Sequence, residues 1–149
     1  MLSKGKVVVI AGPSGVGKNS IISEIIKRCS HCSEIATATT RAPRPREQEG
    51  IDQYFMSETE FDQNVANGSI PEFRVHPTMD VRYGTYMPDL AMRLGRGDTA
   101  FGDFDLQGTK FLKQHFDTLG IFVLPGTFDE LEKRIRARKT GMSEDELRK

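Results

Sequence analysis

The chain has no tryptophan, three tyrosines, three histidines and only two cysteines in 149 residues. It also has no net charge, because 21 lysines and arginines balance 21 aspartates and glutamates. Each scarcity excludes something. Zero net charge removes the whole-surface field that draws a protein to nucleic acid or to an anionic membrane, so neither is expected as a partner. The N-terminal apolar run, Val7 to Ala11, is far shorter than the roughly 20 residues that span a bilayer. It leads straight into a glycine-rich turn, so it reads as a strand and not as a signal peptide. The expected location is the cytoplasm, and the length suits one domain with a substantial core.

The two cysteines form Cys29-Ser30-His31-Cys32. A C-x-x-C can be redox-active or half a zinc site. Zinc needs further ligands, and His76 and His115 stand isolated. A redox pair gains reactivity at a helix N-terminus, whereas this pair follows a helix end. Two reduced thiols, one partly buried, are expected.

What the chain does have begins at residue 6. Residues 6–11 are almost continuously apolar, as in a parallel strand covered on both faces. Gly12-Pro13-Ser14-Gly15-Val16-Gly17-Lys18 follows, then Asn19 and Ser20. Ile21, Ile22, Ile25, Ile26 and Cys29 then recur with helical spacing. Strand, glycine loop and helix in this order make a phosphate loop for ATP or GTP: backbone N–H groups and the helix N-terminus bind phosphate oxygens, and Lys18 adds a point charge on the β- and γ-phosphates. The motif asks for a hydroxyl after the lysine, and Asn19 stands there. Its side-chain carbonyl is a neutral hard ligand that magnesium accepts.

Further along, residues 33–40 read as one strand and 41–50, with two prolines and a glycine, as a loop. Residues 53–56 read as a short strand. Ser57 to Glu60 is a capping box opening a helix that ends at Asn67-Gly68. Residues 70–76 and 81–86 read as strands, Asp89 to Leu94 as a helix and Thr99 to Phe104 as a buried strand with Asp103 and Asp105 at its end. A helix over Gln107 to Phe116 and a strand over 121–124 follow. Thr127 and Glu130 cap a helix with Phe128, Leu131 and Ile135 on its inner face and Arg134 and Arg138 on another. Ser143 to Glu146 is a third capping box close to the last residue, as if a longer domain continued. Alternating strands and helices predict an α/β fold with a mostly parallel sheet, and ligands at the strands' C-terminal ends.

Thr39-Thr40-Arg41-Ala42-Pro43-Arg44 with Glu47 and Gly50, Tyr83-Gly84-Thr85, Asp103-Phe104-Asp105-Leu106-Gln107-Gly108 and the arginines between Leu131 and Arg138 together resemble guanylate kinases, in that family's order. The resemblance implies a P-loop core over about 1–34 and 97–149, a nucleotide-monophosphate-binding insertion with a small mixed β/α sheet over about 35–96, and a helical lid. It implies transfer of the γ-phosphoryl of ATP to GMP with Mg2+, in purine nucleotide metabolism. It assigns Arg41, Arg44 and Tyr83 to the GMP phosphate, Thr37 and Asp105 to the nucleoside pocket, Glu72 to the guanine N–H edge and Thr85 to its carbonyl edge. Asp103 would orient the magnesium shell or Lys18, with Asn19 beside it as a metal ligand. Arg134 and Arg138 would close over the transferring phosphoryl.

The chain departs from the family at Asn19, at Gln53 where a tyrosine is usual, and in the length of the segment from Arg74 to Arg82. It also ends before the last helix–strand region. Two other functions compete: a small-molecule kinase such as a ribose 1,5-bisphosphate phosphokinase, which is similar in fold, and a non-catalytic guanylate-kinase-like binding module.

Overall fold

A computed structural model describes residues 5–140. The third capping box, residues 143–146, lies outside the described residues. The chain is α/β, with one parallel sheet and one mixed sheet.

The parallel sheet holds β1 (Lys6–Ala11), β2 (Cys32–Glu34), β7 (Thr99–Gly102) and β8 (Thr118–Phe122) in the order β2-β7-β1-β8. β1 is central, and both its faces are covered, which explains its unbroken apolar run. Val7 and Val9 pack on one side with Leu90, Ala100 and Leu112. Val8 and Ile10 pack on the other with Ile22 and Phe101. This is the two-residue alternation of a strand read from both sides at once. Each such side chain contributes roughly 1.5–3 kcal/mol on burial. The helices are α1 (Lys18–Arg28) over one face, α3 (Met87–Gly95) and α4 (Leu106–His115) over the other, and α5 (Phe128–Thr140).

The mixed sheet orders β4 (Gln53–Phe55), β3 (Thr37–Thr39), β6 (Arg82–Gly84) and β5 (Phe73–Val75), with α2 (Glu58–Ala66) beside it. Its small core is Ala38, Phe61 and Ile70. The Ser57–Glu60 capping box forms as expected. Arg82 stacks its guanidinium 4.5 Å from the Phe61 ring and pairs with Asp62 and Glu58.

Several expectations are corrected. Residues 33–40 are not one strand but β2 and β3, which belong to different sheets. The chain crosses between them at Ile35 and Ala36, whose N–H groups donate to the Phe101 carbonyl (2.7 Å) and to Asp89 Oδ2 (3.0 Å). Asp89 is buried and also accepts from Tyr54 Oη (3.2 Å) and Arg93 Nε (2.6 Å), so α3 is bolted to the crossing. β7 stops at Gly102, leaving Asp103 just beyond it. α3 starts at Met87, earlier than Asp89, because Pro88 fits a helix's first turn. The last strand is 118–122 rather than 121–124: parallel pairing runs from Val7 with Thr118 to Ala11 with Phe122. Hydropathy misplaced it because its apolar side chains Leu119, Ile121 and Phe122 are exposed. Phe128 is not on the inner face of α5 but 84% exposed, being the first residue of the helix. Leu131 and Ala137 are the buried positions there. The cysteines are free and half-buried, and burial pushes the Cys32 thiol up to about 11, which suits inert thiols.

Candidate active site

The parallel sheet puts the C-terminal ends of β1 and β7 side by side, with Val9 opposite Gly102. The glycine loop therefore lies next to Asp103. Gly12 and Gly15 both have positive φ, and a Cβ on Gly12 would stand 2.6 Å from the Val123 carbonyl oxygen. A Cβ on Gly15 would press against Ile135 of α5 at 3.0 Å, so the loop and the arginine-bearing helix are in contact. Gly17 caps α1, and Lys18 is its first residue. Lys18 Nζ donates to the carbonyls of Gly12 (2.9 Å) and Pro13 (3.2 Å) and lies 3.6 Å from Asp103 Oδ2. Burial raises the Asp103 carboxyl above its usual range, and Lys18 pulls against that shift.

Two cavities open here. One, called the donor cavity for the role the resemblance implies, is lined by Gly12, Ser14, Gly15, Gly17, Lys18 and Arg138, among others; the other, called the acceptor cavity on the same ground, is lined by Thr37, Gln53, Glu72, Tyr83 and Thr85, among others. The acceptor cavity has a volume of about 210 Å³. Asn19, Arg74, Asp103, Phe104 and Asp105 line both, so the two share a wall.

The acceptor wall is hydrogen-bonded within itself. Glu72 Oε1 accepts from the Thr85 hydroxyl and from the Thr85 N–H (3.2 Å). Thr37 Oγ1 donates to Gln53 Oε1 at 3.0 Å. Gln53 faces the cavity, whereas Tyr54 turns to Tyr86 and Asp89, as neighbours on a strand must. Gln53, and not Tyr54, therefore holds the place where a tyrosine is usual. Asp105 caps α4 by accepting from the Gly108 N–H (2.9 Å) and pairs with Arg74 Nε at 3.2 Å.

The expected residues do not all converge. Arg41 lines neither cavity. It forms a two-pronged pair with Glu47, at 2.9 and 3.0 Å, and its buried Nε has no hydrogen-bond partner among the described residues. Glu47 holds Arg41 more firmly charged, and Arg41 with the Arg44 N–H holds the Glu47 carboxyl below its usual range. Arg44 is exposed and offers Glu47 its backbone N–H at 2.6 Å. Arg134 lies 3.5 Å from the Val16 carbonyl, while Arg138 lines the donor cavity. Pro13 and Val16 serve through backbone, and Ser20 is exposed and lines neither cavity. The reading from sequence missed Arg74, which sits in the stretch where the chain departs from its resemblance, and Glu34 and Asp52, which also line the acceptor cavity. Scattered charged residues of this kind carry no spacing signal.

Asn19 and Asp103 offer oxygen donors on the shared wall, a set that fits magnesium, which takes one or two protein ligands and keeps the rest of its shell for water and phosphate. Among the described residues no group of three or more His, Cys, Asp or Glu could hold a metal ion by itself.

A phosphate loop sharing a wall with a second cavity that carries its own carboxylates is the layout of a P-loop kinase. A family model for guanylate kinase matches residues 4–149. A guanylate kinase of Thermotoga maritima is 37% identical over 146 residues, covering 97% of this chain and 69% of that protein. One of Rhodopirellula baltica is 36% identical over 139 residues, covering 91% and 66%. The crystal structure of guanylate kinase from Anaplasma phagocytophilum superposes with a TM-score of 0.70 at 27% identity, covering 89% of this chain and 66% of that one. The chain belongs to the guanylate kinase family, and it spans about two thirds of the length of these relatives.

Proposed function

We propose that the chain transfers the γ-phosphoryl group of ATP to GMP, giving ADP and GDP. The observation that carries this is the shared wall: a phosphate loop on one side, and on the other a cavity whose polar floor is Glu72 held by Thr85. A carboxylate only accepts hydrogen bonds. Guanine presents adjacent N1–H and N2–H donors to it, whereas adenine presents an acceptor at N1. A buried mismatch of this kind discriminates strongly.

In this reading the loop N–H groups and Lys18 hold the β- and γ-phosphates. An oxygen of the GMP phosphate forms the new P–O bond while the bond to the β-phosphate oxygen breaks, and ADP leaves with that electron pair. The chain makes no covalent intermediate; it positions and neutralises charge. Magnesium bound at Asn19 and Asp103 would supply further charge neutralisation at the phosphates. Arg138, with Arg134 one turn away, closes the donor cavity. We assign the GMP phosphate to Tyr83, which lines the acceptor cavity, and to Arg41, which would turn from Glu47 toward it; that the Arg41 Nε has no hydrogen-bond partner among the described residues supports this reading. Thr37 and Asp105 flank the nucleoside.

We place the division into core and insertion at about 1–34 with 97–149, and 35–96. No helix among the described residues is long and apolar enough to cross a membrane. The reaction belongs to purine nucleotide metabolism in the cytoplasm, where both substrates occur, and needs no nucleic acid.

ADP release measured with ATP and either GMP or ribose 1,5-bisphosphate tests the reading. Turnover with GMP alone is expected. Turnover with the sugar bisphosphate alone overturns it, and GMP binding without any turnover points to a binding module.

A further inference from the structure

We propose that Arg74 contacts the transferred phosphoryl group and is a catalytic residue supplied from the acceptor side; this rests on the phosphotransfer reading above. Among the described residues five line both cavities, and Arg74 is the one cation of those five. Lys18 and Arg138 line the donor cavity without the acceptor cavity, and Arg41 lines neither. A phosphoryl group passing from one cavity to the other crosses the shared wall, where its three equatorial oxygens need positive charge.

The fold aims Arg74 there. β5 and β6 pair antiparallel with Arg74 directly opposite Tyr83. The guanidinium carbon sits 5.6 Å from the Tyr83 ring centroid, a stacking that orients the planar fork without consuming its N–H donors. One edge of the fork is paired with Asp105 at 3.2 Å, and the Arg74 side chain is 54% exposed. A half-exposed pair of this kind holds weakly. Asp105 keeps its bond to the Gly108 N–H through its other oxygen, so Arg74 can leave it without unmaking the cap of α4. A transferring phosphoryl offers three anionic oxygens in place of one carboxylate oxygen. Arg74 donates hydrogen bonds and neither gains nor loses a proton. The bond changes remain those between the donor's β-phosphate oxygen, phosphorus and the GMP phosphate oxygen.

Arg74 lies in the stretch where the chain departs from the family's length, so no motif points to it. It faces the same wall as Asn19, where the usual hydroxyl is missing. A guanidinium there adds neutralising charge next to a weaker metal ligand.

Steady-state kinetics of the 149-residue chain, its Arg74→Ala variant and its Arg74→Lys variant with ATP and GMP provide the test. Arg74→Ala is expected to lower kcat about 100-fold, with both KM values within about threefold and an unchanged thermal midpoint. Arg74→Lys should recover only part of the rate, and added guanidinium ion should raise turnover of Arg74→Ala, which a merely structural role would not allow. Unchanged kcat in both variants overturns the proposal while leaving GMP phosphorylation standing. So does a raised KM for GMP at unchanged kcat, which would put Arg74 on the acceptor's own phosphate. Should Arg74→Ala lose its fold, an unaltered kcat in Arg74→Lys still overturns the proposal. Absence of GMP turnover by the unsubstituted chain removes both readings.

Discussion

The donor side of the site is built around one continuous stretch, Gly12 to Asn19, with Arg138 added from α5, while the acceptor side is assembled from five separate places: Thr37, Gln53, Glu72, the Tyr83–Thr85 strand end and Asp105. The donor side is built mainly of backbone, with Lys18 tied to the carbonyls of the loop itself. The acceptor side is built of side chains, and its cations rest on the chain's own carboxylates, Arg41 on Glu47 and Arg74 on Asp105. A backbone cradle depends on its glycines, Gly12 and Gly15 above all, and reads no base. A side-chain cradle is selective, and each member is individually replaceable. The two sides should therefore respond to substitution independently.

The largest effect is expected at Lys18. Lys18→Met removes the one side-chain charge of the loop at nearly constant volume. Turnover should fall by about a thousandfold or more, while GMP affinity measured by calorimetry stays within about twofold. A parallel loss of GMP affinity would break the division into two sides. Glu72→Gln comes next and acts on the other side. The amide has one acceptor oxygen; with that oxygen kept on Thr85 it turns a clashing NH2 donor toward the guanine N–H edge. The kcat/KM for GMP should fall about 30-fold, the cost of a buried donor left unpaired, with the KM for ATP unmoved. An equal loss toward both nucleotides would mean that Glu72 supports the wall and does not read the base.

The same contrast explains what could be read from the chain before its structure. The donor side was legible because its chemistry needs neighbouring residues in a fixed order, so strand, glycines and Lys18 announce themselves. α1, α2 with its capping box, and β1 followed from periodicity and caps. The acceptor residues were reachable only through resemblance to a family, since three-residue strands such as β3 and β6 carry too little alternation to place. The division of 33–40 between two sheets was hidden because Asp89, over fifty residues away, fixes the crossing. β8 was shifted because its apolar side chains are exposed, which hydropathy cannot distinguish from burial. Arg74 was invisible for a related reason: its meaning comes from Tyr83 on the neighbouring strand and Asp105 at the cap of α4.

The smallest expected effect concerns stability and separates the two sides by pH. Lys18 is held chiefly by carbonyl oxygens, which do not titrate, whereas Arg41 is held by the carboxylate of Glu47, which does. The hydrogen bonds from Arg41 and from the Arg44 N–H lower the Glu47 pKa from its ordinary 4.5. A carboxyl depressed on folding contributes stability that is complete above its unfolded value and is lost as pH falls through the folded one. Glu47→Gln should therefore cost about 1 kcal/mol at pH 7, measured by urea unfolding. The gap between the two proteins should begin to close below about pH 4.5 and vanish once Glu47 is protonated in the folded chain. A gap that stays constant into acid would mean that Glu47 acts through packing, and that the acceptor corner is no more electrostatic in its making than the phosphate loop.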